Sequence, residues 1–148
     1  MRPGKLLHFG ITRMLPSIIL LLTASESFSQ GTLEIKIANV QKNSGKVVVE
    51  IYNSESSWLK TPFRKAVLAT NQEVQSASFQ VPYDKYAISI YQDVNDNGKL
   101  DSGIFSIPKE PIGFGNNYKP FGRPKFTSAA IDFKATSKPQ EIKLFKVF

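Results

Sequence analysis

The chain has no cysteine and a single histidine, His8, among 148 residues. No disulfide can hold it together, so stability has to come from a buried core, with a bound ion as the one available supplement. If the first residues are removed on export, as argued below, His8 leaves with them. The rest then has neither imidazole nor thiol, which excludes Ser-His-Asp catalysis, Cys-His catalysis and the usual histidine or cysteine zinc sites. Long apolar runs are missing too. Ile18-Ile19-Leu20-Leu21-Leu22 is well short of the roughly 20 residues that cross a bilayer. There is also no run or stripe of lysines, so the formal charge of +7 does not single out a nucleic acid, and none is expected as a partner.

The N-terminus reads as a secretory signal. Arg2, Lys5 and Arg13 precede the short apolar run, and Ser27-Phe28-Ser29 supplies small residues for cleavage near Ser29/Gln30. Residues 1–29 are the expected signal peptide, and residues 30–148 the expected single domain. That leaves 119 of the 148 residues, enough for a sizeable core. Removing three bases and one acid (Glu26) lowers the net charge from +7 to +5. The expected location is periplasmic, cell-surface or extracellular, with no membrane-spanning segment after cleavage. No cysteine follows the apolar run to carry a lipid anchor.

Period-two alternation recurs along the rest of the chain, as in half-buried strands. Leu33, Ile35 and Ile37 share a face in Thr32–Val40; Val47, Val49 and Ile51 share one in Lys46–Tyr52. The turn Asn43-Ser44-Gly45 between them predicts a hairpin. Ala77, Phe79 and Val81 alternate in Val74–Val81, and Tyr86, Ile88 and Ile90 in Lys85–Tyr91. Ile142 and Leu144 alternate with Lys143 and Phe145 in Glu141–Val147. Single helical turns are expected only at Ser54–Leu59 and Phe126–Ala130. The expected fold is all-β, an antiparallel sandwich or barrel of about seven strands.

One segment departs from this pattern. From Asp93 to about Lys125 the chain is rich in Gly, Pro, Asn and aromatic residues, and it reads as one long loop. Phe105, Phe114, Tyr118 and Phe121 are expected to pack it onto the sandwich. The loop opens with Asp93-Val94-Asn95-Asp96-Asn97-Gly98-Lys99-Leu100-Asp101. Oxygen-bearing side chains stand at the first, third and fifth places, glycine at the sixth and an acid at the ninth. That spacing converges hard oxygen ligands on a calcium ion while glycine allows the sharp turn. Asp93, Asn95, Asn97, the Lys99 carbonyl and Asp101 are the candidate ligands. Glu110 is a candidate for the carboxylate that an EF-hand keeps at its twelfth place, where this chain has Ile104. The competing reading is a metal-free turn, because Asn-Gly favours hairpins and Asp and Asn cap their own backbone. Asp96 is the remaining acid of the loop and stands outside this ligand spacing.

The residues around this motif resemble a bacterial family of secreted domains of unknown function, DUF2141. The resemblance rests on residues 91–101, on Ile107-Pro108-Lys109-Glu110 and on Gly113-Phe114-Gly115-Asn116-Asn117. Outside the loop it rests on Gly31-Thr32-Leu33, Gly45-Lys46-Val47-Val48-Val49 with Ile51-Tyr52, and Phe121-Gly122-Arg123-Pro124-Lys125-Phe126 with Ala129-Ala130. It covers nearly all of residues 31–148. It implies an exported β-sandwich of transthyretin-like or immunoglobulin-like kind and no established activity. Three places depart from the family's usual pattern: Tyr83-Asp84 after Pro82, Gln92 where histidine is common, and Thr127-Ser128 where acids are common.

Three functions follow as expectations. The first is a non-catalytic exported module whose loop is ordered by calcium, with a binding or structural role at the cell envelope. The second is a metal-free module that binds a glycan, peptide or lipid through Trp58, Phe114, Tyr118 and Arg123, or an extracytoplasmic protein. The third is a hydrolase resting on Asp93, Asp96, Asp101 and Glu110, weaker because four acids in one polar loop suit an ion better than proton transfer.

Overall fold

The computed structural model describes Met1, Gly4 and residues 29–147. The rest of the expected signal peptide, and Phe148, lie outside the described residues. Eight strands form: β1 (Gln30–Ala38), β2 (Lys46–Tyr52), β3 (Arg64–Ala69), β4 (Gln75–Pro82), β5 (Lys85–Asp93), β6 (Ile112–Phe114), β7 (Ala130–Asp132) and β8 (Gln140–Lys143). One sheet runs β4-β1-β8; the other runs β3-β2-β5-β6, with β7 also paired to β5. Every pairing is antiparallel except β1 with β8. The result is a β-sandwich. No described helix is long and apolar enough to cross a membrane.

The alternating residues build the space between the sheets. Leu33, Ile35, Ile37, Ala77, Phe79, Val81 and Ile142 from one sheet meet Val47, Val49, Ile51, Tyr86, Ile88 and Ile90 from the other. Each such large side chain, fully buried, contributes about 1.5–3 kcal/mol relative to exposure. The outer face of the larger sheet is covered as well. Val48, Tyr52, Ala87 and Tyr91 pack there against Trp58, Ile112, Phe114, Phe126 and Ala129. Both faces of β5 are therefore buried, and its end at Asp93 is held rigidly.

Four expectations change. β1 and β2 do not form a hairpin: β1 pairs with β4 and β8, and β2 with β3 and β5. Each strand has one apolar face, and turning those faces toward each other across the core buries both. The link between them crosses from sheet to sheet through Asn39 (φ 63°), Asn43 (φ 55°) and Gly45 (φ 61°). Ser54–Leu59 is a series of turns, stopped by Leu59 at φ 56°; Phe126–Ala129 does form one helical turn. The segment after Asp93 is not one loop, because β6 lies inside it. Finally, Phe114 is buried and Tyr118 packs beside it, but Phe105 and Phe121 are exposed.

Burial also sets an alkaline limit. Burial raises the Tyr52 hydroxyl above its usual pKa, with the Glu50 carboxylate that accepts its hydrogen bond adding to the shift. Burial first, then nearby carboxylates, raises Tyr86 and Tyr91. Folded values above the unfolded value of about 10 mean stability present below that pH and lost as pH rises through it. Tyrosinate absorbance is expected to show these three hydroxyls ionising only together with loss of β-sheet circular dichroism.

Candidate functional site

The loop after β5 is anchored before it begins. Lys46 of β2 pairs with Asp93, and Gly45 sits so close that a Cβ there would lie 1.7 Å from the Asp93 carbonyl oxygen. Gln92, fully buried, donates through Nε2 to the Gln41 and Ser44 carbonyls (2.8 and 2.7 Å) and accepts from the Gln41 N–H (2.9 Å). These contacts fix the direction in which Asp93 enters the turn.

Asp93 is only 2% exposed. Its Oδ1 accepts the Asn97 N–H at 3.0 Å and its Oδ2 the Gly98 N–H at 2.7 Å. The chain thus folds back over its first acid, and Gly98 at φ 84° makes the reversal that a residue with Cβ resists. Asn95 Nδ2 donates to Asp101 Oδ2 at 2.8 Å, and Asn97 Nδ2 reaches both Asp101 oxygens at 3.0 Å. Asn97 Oδ1 accepts the Lys99 N–H at 3.1 Å. Hydrogen bonds from Asn97 and Asn95, and then the charges of Lys99 and Lys109, hold the Asp101 carboxyl below its usual pKa. Asp96 turns away to an ion pair with Lys46 at 3.0 Å.

Glu110 closes the loop from the other side. It is 6% exposed, and its two oxygens accept the N–H groups of Val94 (2.8 Å) and Asp101 (2.9 Å). One buried carboxylate therefore ties the two ends of the turn together. The sequence offers it as the returning carboxylate of a calcium loop; the fold brings it back, with both oxygens on backbone N–H groups rather than among the side chains of Asn95, Asn97 and Asp101.

The turn gathers Asp93, Asn95, Asn97 and Asp101 into one cluster. Among the described residues no three acidic, histidine or cysteine side chains group as a metal site. The donor set is two carboxylates, two amides and the Lys99 carbonyl, all hard oxygens of the kind calcium prefers. Half-turn rotations of the Asn95 and Asn97 amides would present oxygen where nitrogen now meets Asp101, at the cost of the bonds that Asn97 Oδ1 accepts from the Lys99 N–H and Asn95 Oδ1 from the Asn97 N–H. Without an ion, the same network satisfies itself as a capped turn. The donor set fits both readings.

Of the aromatic candidates and Arg123, the structure brings Trp58 and Arg123 to one shallow groove, with Phe114 and Tyr118 packed behind Trp58. Trp58 and Phe114 are buried and pack together at 6.2 Å between ring centroids; Tyr118 packs on Phe114 at 6.2 Å. They belong to the outer core, and Trp58 (6% exposed) also forms part of the wall of a surface groove. Arg123 is exposed and lines a shallow groove of about 400 Å³ with Glu55, Lys60 and Lys125. Sequence reasoning missed the role of Gln92, which appeared there only as a departure from a common histidine.

Residues 35–142 match the family described as an uncharacterized protein conserved in bacteria, DUF2141. No curated protein and no solved structure gives a match.

Proposed function

The chain belongs to this family of uncharacterized bacterial proteins, and on that premise we propose that it is an exported, non-catalytic β-sandwich module whose 93–101 turn binds calcium. Its role is binding or structural support at the cell envelope. One observation carries the reading: the side chains at the third, fifth and ninth places meet, with Asn95 and Asn97 at 2.8–3.0 Å from the Asp101 carboxylate, in a turn whose backbone N–H groups fold onto the first-place Asp93 carboxylate. A plain turn needs the Asp93 cap and Gly98, but it has no need of a carboxylate at the ninth place. With two carboxylates and two amides, the affinity is of the order of 10⁻⁵ to 10⁻³ M, as in extracellular modules.

Thermal unfolding in chelator and then in millimolar calcium tests this. An ion that binds only the folded state adds RT ln(1 + [Ca]/Kd): at about 1 mM this is about 2.7 kcal/mol, a shift of several degrees, for a Kd of about 10⁻⁵ M. At the weaker end of the range the titration is carried to about 100 mM, with matched magnesium as the ionic control. Asp101→Ala, at a partly exposed position, is expected to keep the fold and lose the shift. Asp93→Ala is expected to lose it too, and to cost about 1–2 kcal/mol in chelator, because the Gly98 N–H loses its acceptor and the Asn97 N–H keeps only Asn95 Oδ1 at 3.3 Å. A calcium shift retained in Asp101→Ala contradicts the assignment.

A further inference from the structure

Asn97-Gly98 is the only Asn-Gly pair in the chain. Such a pair has a chemistry of its own. With no side chain on the glycine, its nitrogen can reach the side-chain carbonyl carbon of the asparagine before it. Once the Gly98 N–H has given its proton to a base in the solvent, the nitrogen attacks Asn97 Cγ. A new Cγ–N bond forms, the Cγ–Nδ2 bond breaks, and Nδ2 leaves as ammonia with a proton from water. Water then opens the cyclic imide to aspartate or isoaspartate. One amide and one water are consumed, one acid and one ammonia are produced, and nothing is oxidised or reduced.

Both residues are exposed, and no atom lies within 4 Å of where a Cβ on Gly98 would stand. Sterics therefore do not keep solvent from the pair. Hydrogen bonds engage every group that the reaction uses. The Gly98 N–H donates to Asp93 Oδ2 at 2.7 Å. Asp93 is buried, so its negative charge stands poorly screened beside the nitrogen that has to become an anion. Asn97 Nδ2 donates to both Asp101 oxygens at 3.0 Å, and Asn97 Oδ1 accepts the Lys99 N–H at 3.1 Å. Attack makes Cγ tetrahedral, whereas these bonds hold the amide flat. The Asp101 carboxylate also opposes the negative charge that the tetrahedral centre gains.

We propose that Asn97 is a deamidation site that the folded turn keeps closed, with Asp93 and Asp101 as its gate, so that conversion follows local opening of the turn. The gate does not depend on calcium. Its consequence rests on the calcium reading: the aspartyl product puts a third carboxylate at the fifth place, and ligand charge tunes affinity in such loops.

All eight strands and both core clusters lie within residues 30–147, so the chain beginning at Gln30 carries the whole fold. That protein, in chelator at mildly alkaline pH, is compared by peptide mass spectrometry with a synthetic peptide of residues 91–101. Conversion of Asn97 is expected to be at least about tenfold slower in the protein. Asp93→Asn removes the charge at nearly constant size, and Asp101→Ala frees the side-chain amide. Each is expected to speed conversion several-fold while circular dichroism shows the fold retained. A parent that converts as fast as the peptide overturns the proposal, and so do two folded variants that convert no faster than the parent. Asn97→Asp, the product itself, is expected to show a larger calcium-induced rise in Tm than the parent. An equal rise overturns the third-ligand consequence. No rise in either protein overturns the calcium reading and leaves the gate, which is read in chelator, standing.

Discussion

Gln92→Leu is expected to destabilise the domain by about 4 kcal/mol, a large part of the 5–15 kcal/mol typical of a folded chain. Leucine has nearly the same size, so the loss is one of hydrogen bonding. The Gln41 N–H and the Gln41 and Ser44 carbonyls lose their partner together, each at about 1–3 kcal/mol when left unsatisfied. The site matters because Gln92 ties the link from β1 to β2 to β5, while Thr70 holds the same link from its other side, accepting the Asn43 N–H through its carbonyl at 2.6 Å and the Ser44 N–H through its hydroxyl at 3.0 Å. Urea unfolding followed by circular dichroism is the measurement: a lower midpoint with an unchanged slope reports the loss. A midpoint within about 1 kcal/mol of the parent would mean that water replaces the side chain and that the link is held by other contacts.

Trp58→Ala is the second large effect, expected at about 3–5 kcal/mol. Trp58 stands at the centre of the outer core. Its ring meets Tyr52 edge-on at 5.0 Å and Phe126 at 6.1 Å, and its Nε1 donates to the Pro124 carbonyl at 3.0 Å. Truncation leaves a cavity in contact with the segment that covers the outer face of β2 and β5. Trp58→Phe is expected to recover more than half of the loss, since a ring remains and only one hydrogen bond is missing. Circular dichroism is the probe, because Trp58 is the only tryptophan. A loss below about 1 kcal/mol for the alanine variant would return Trp58 to the surface, where a ligand-binding role would be open to it.

The strands that alternate fully were legible in the sequence. β2 covers the expected span, and β1, β4 and β5 differ only at their ends, because each sets one apolar face against the other sheet. β3 was not legible: it lies at a sheet edge, where Val67 points to solvent and only Ala66 and Leu68 pack inward. β6 was hidden by composition, since Gly113 reads as a loop residue. A Cβ at Gly113 would meet Ile142 and Leu144 at 3.0 and 3.1 Å, so the glycine is there to let β8 and its extension pass close. The β1–β2 hairpin failed for a different reason. Turn residues mark where a chain reverses but not whether the next strand pairs with the last or faces it.

The turn at residues 93–101 was legible in the sequence, because its signal is a fixed spacing within nine residues. Asp93, Asn95, Asn97 and Asp101 come together as that spacing requires. What the spacing lacks is the support around it: Glu110 bracing both ends through backbone N–H groups, Gln92 fixing the neighbouring link, and Lys46 drawing Asp96 outward. Those are long-range contacts, and no local pattern encodes which way a returning carboxylate will face.

The central claim, that the 93–101 turn holds calcium, is tested most directly by following backbone amide resonances during a calcium titration of the chain beginning at Gln30. The account predicts saturable shifts concentrated at Asn95–Asp101, fitting one ion with a Kd of the order of 10⁻⁵ to 10⁻³ M, and absent in Asp101→Ala. Resonances of the turn that do not move, or shifts scattered over surface carboxylates without saturation, would contradict it and leave the turn as a self-satisfied cap.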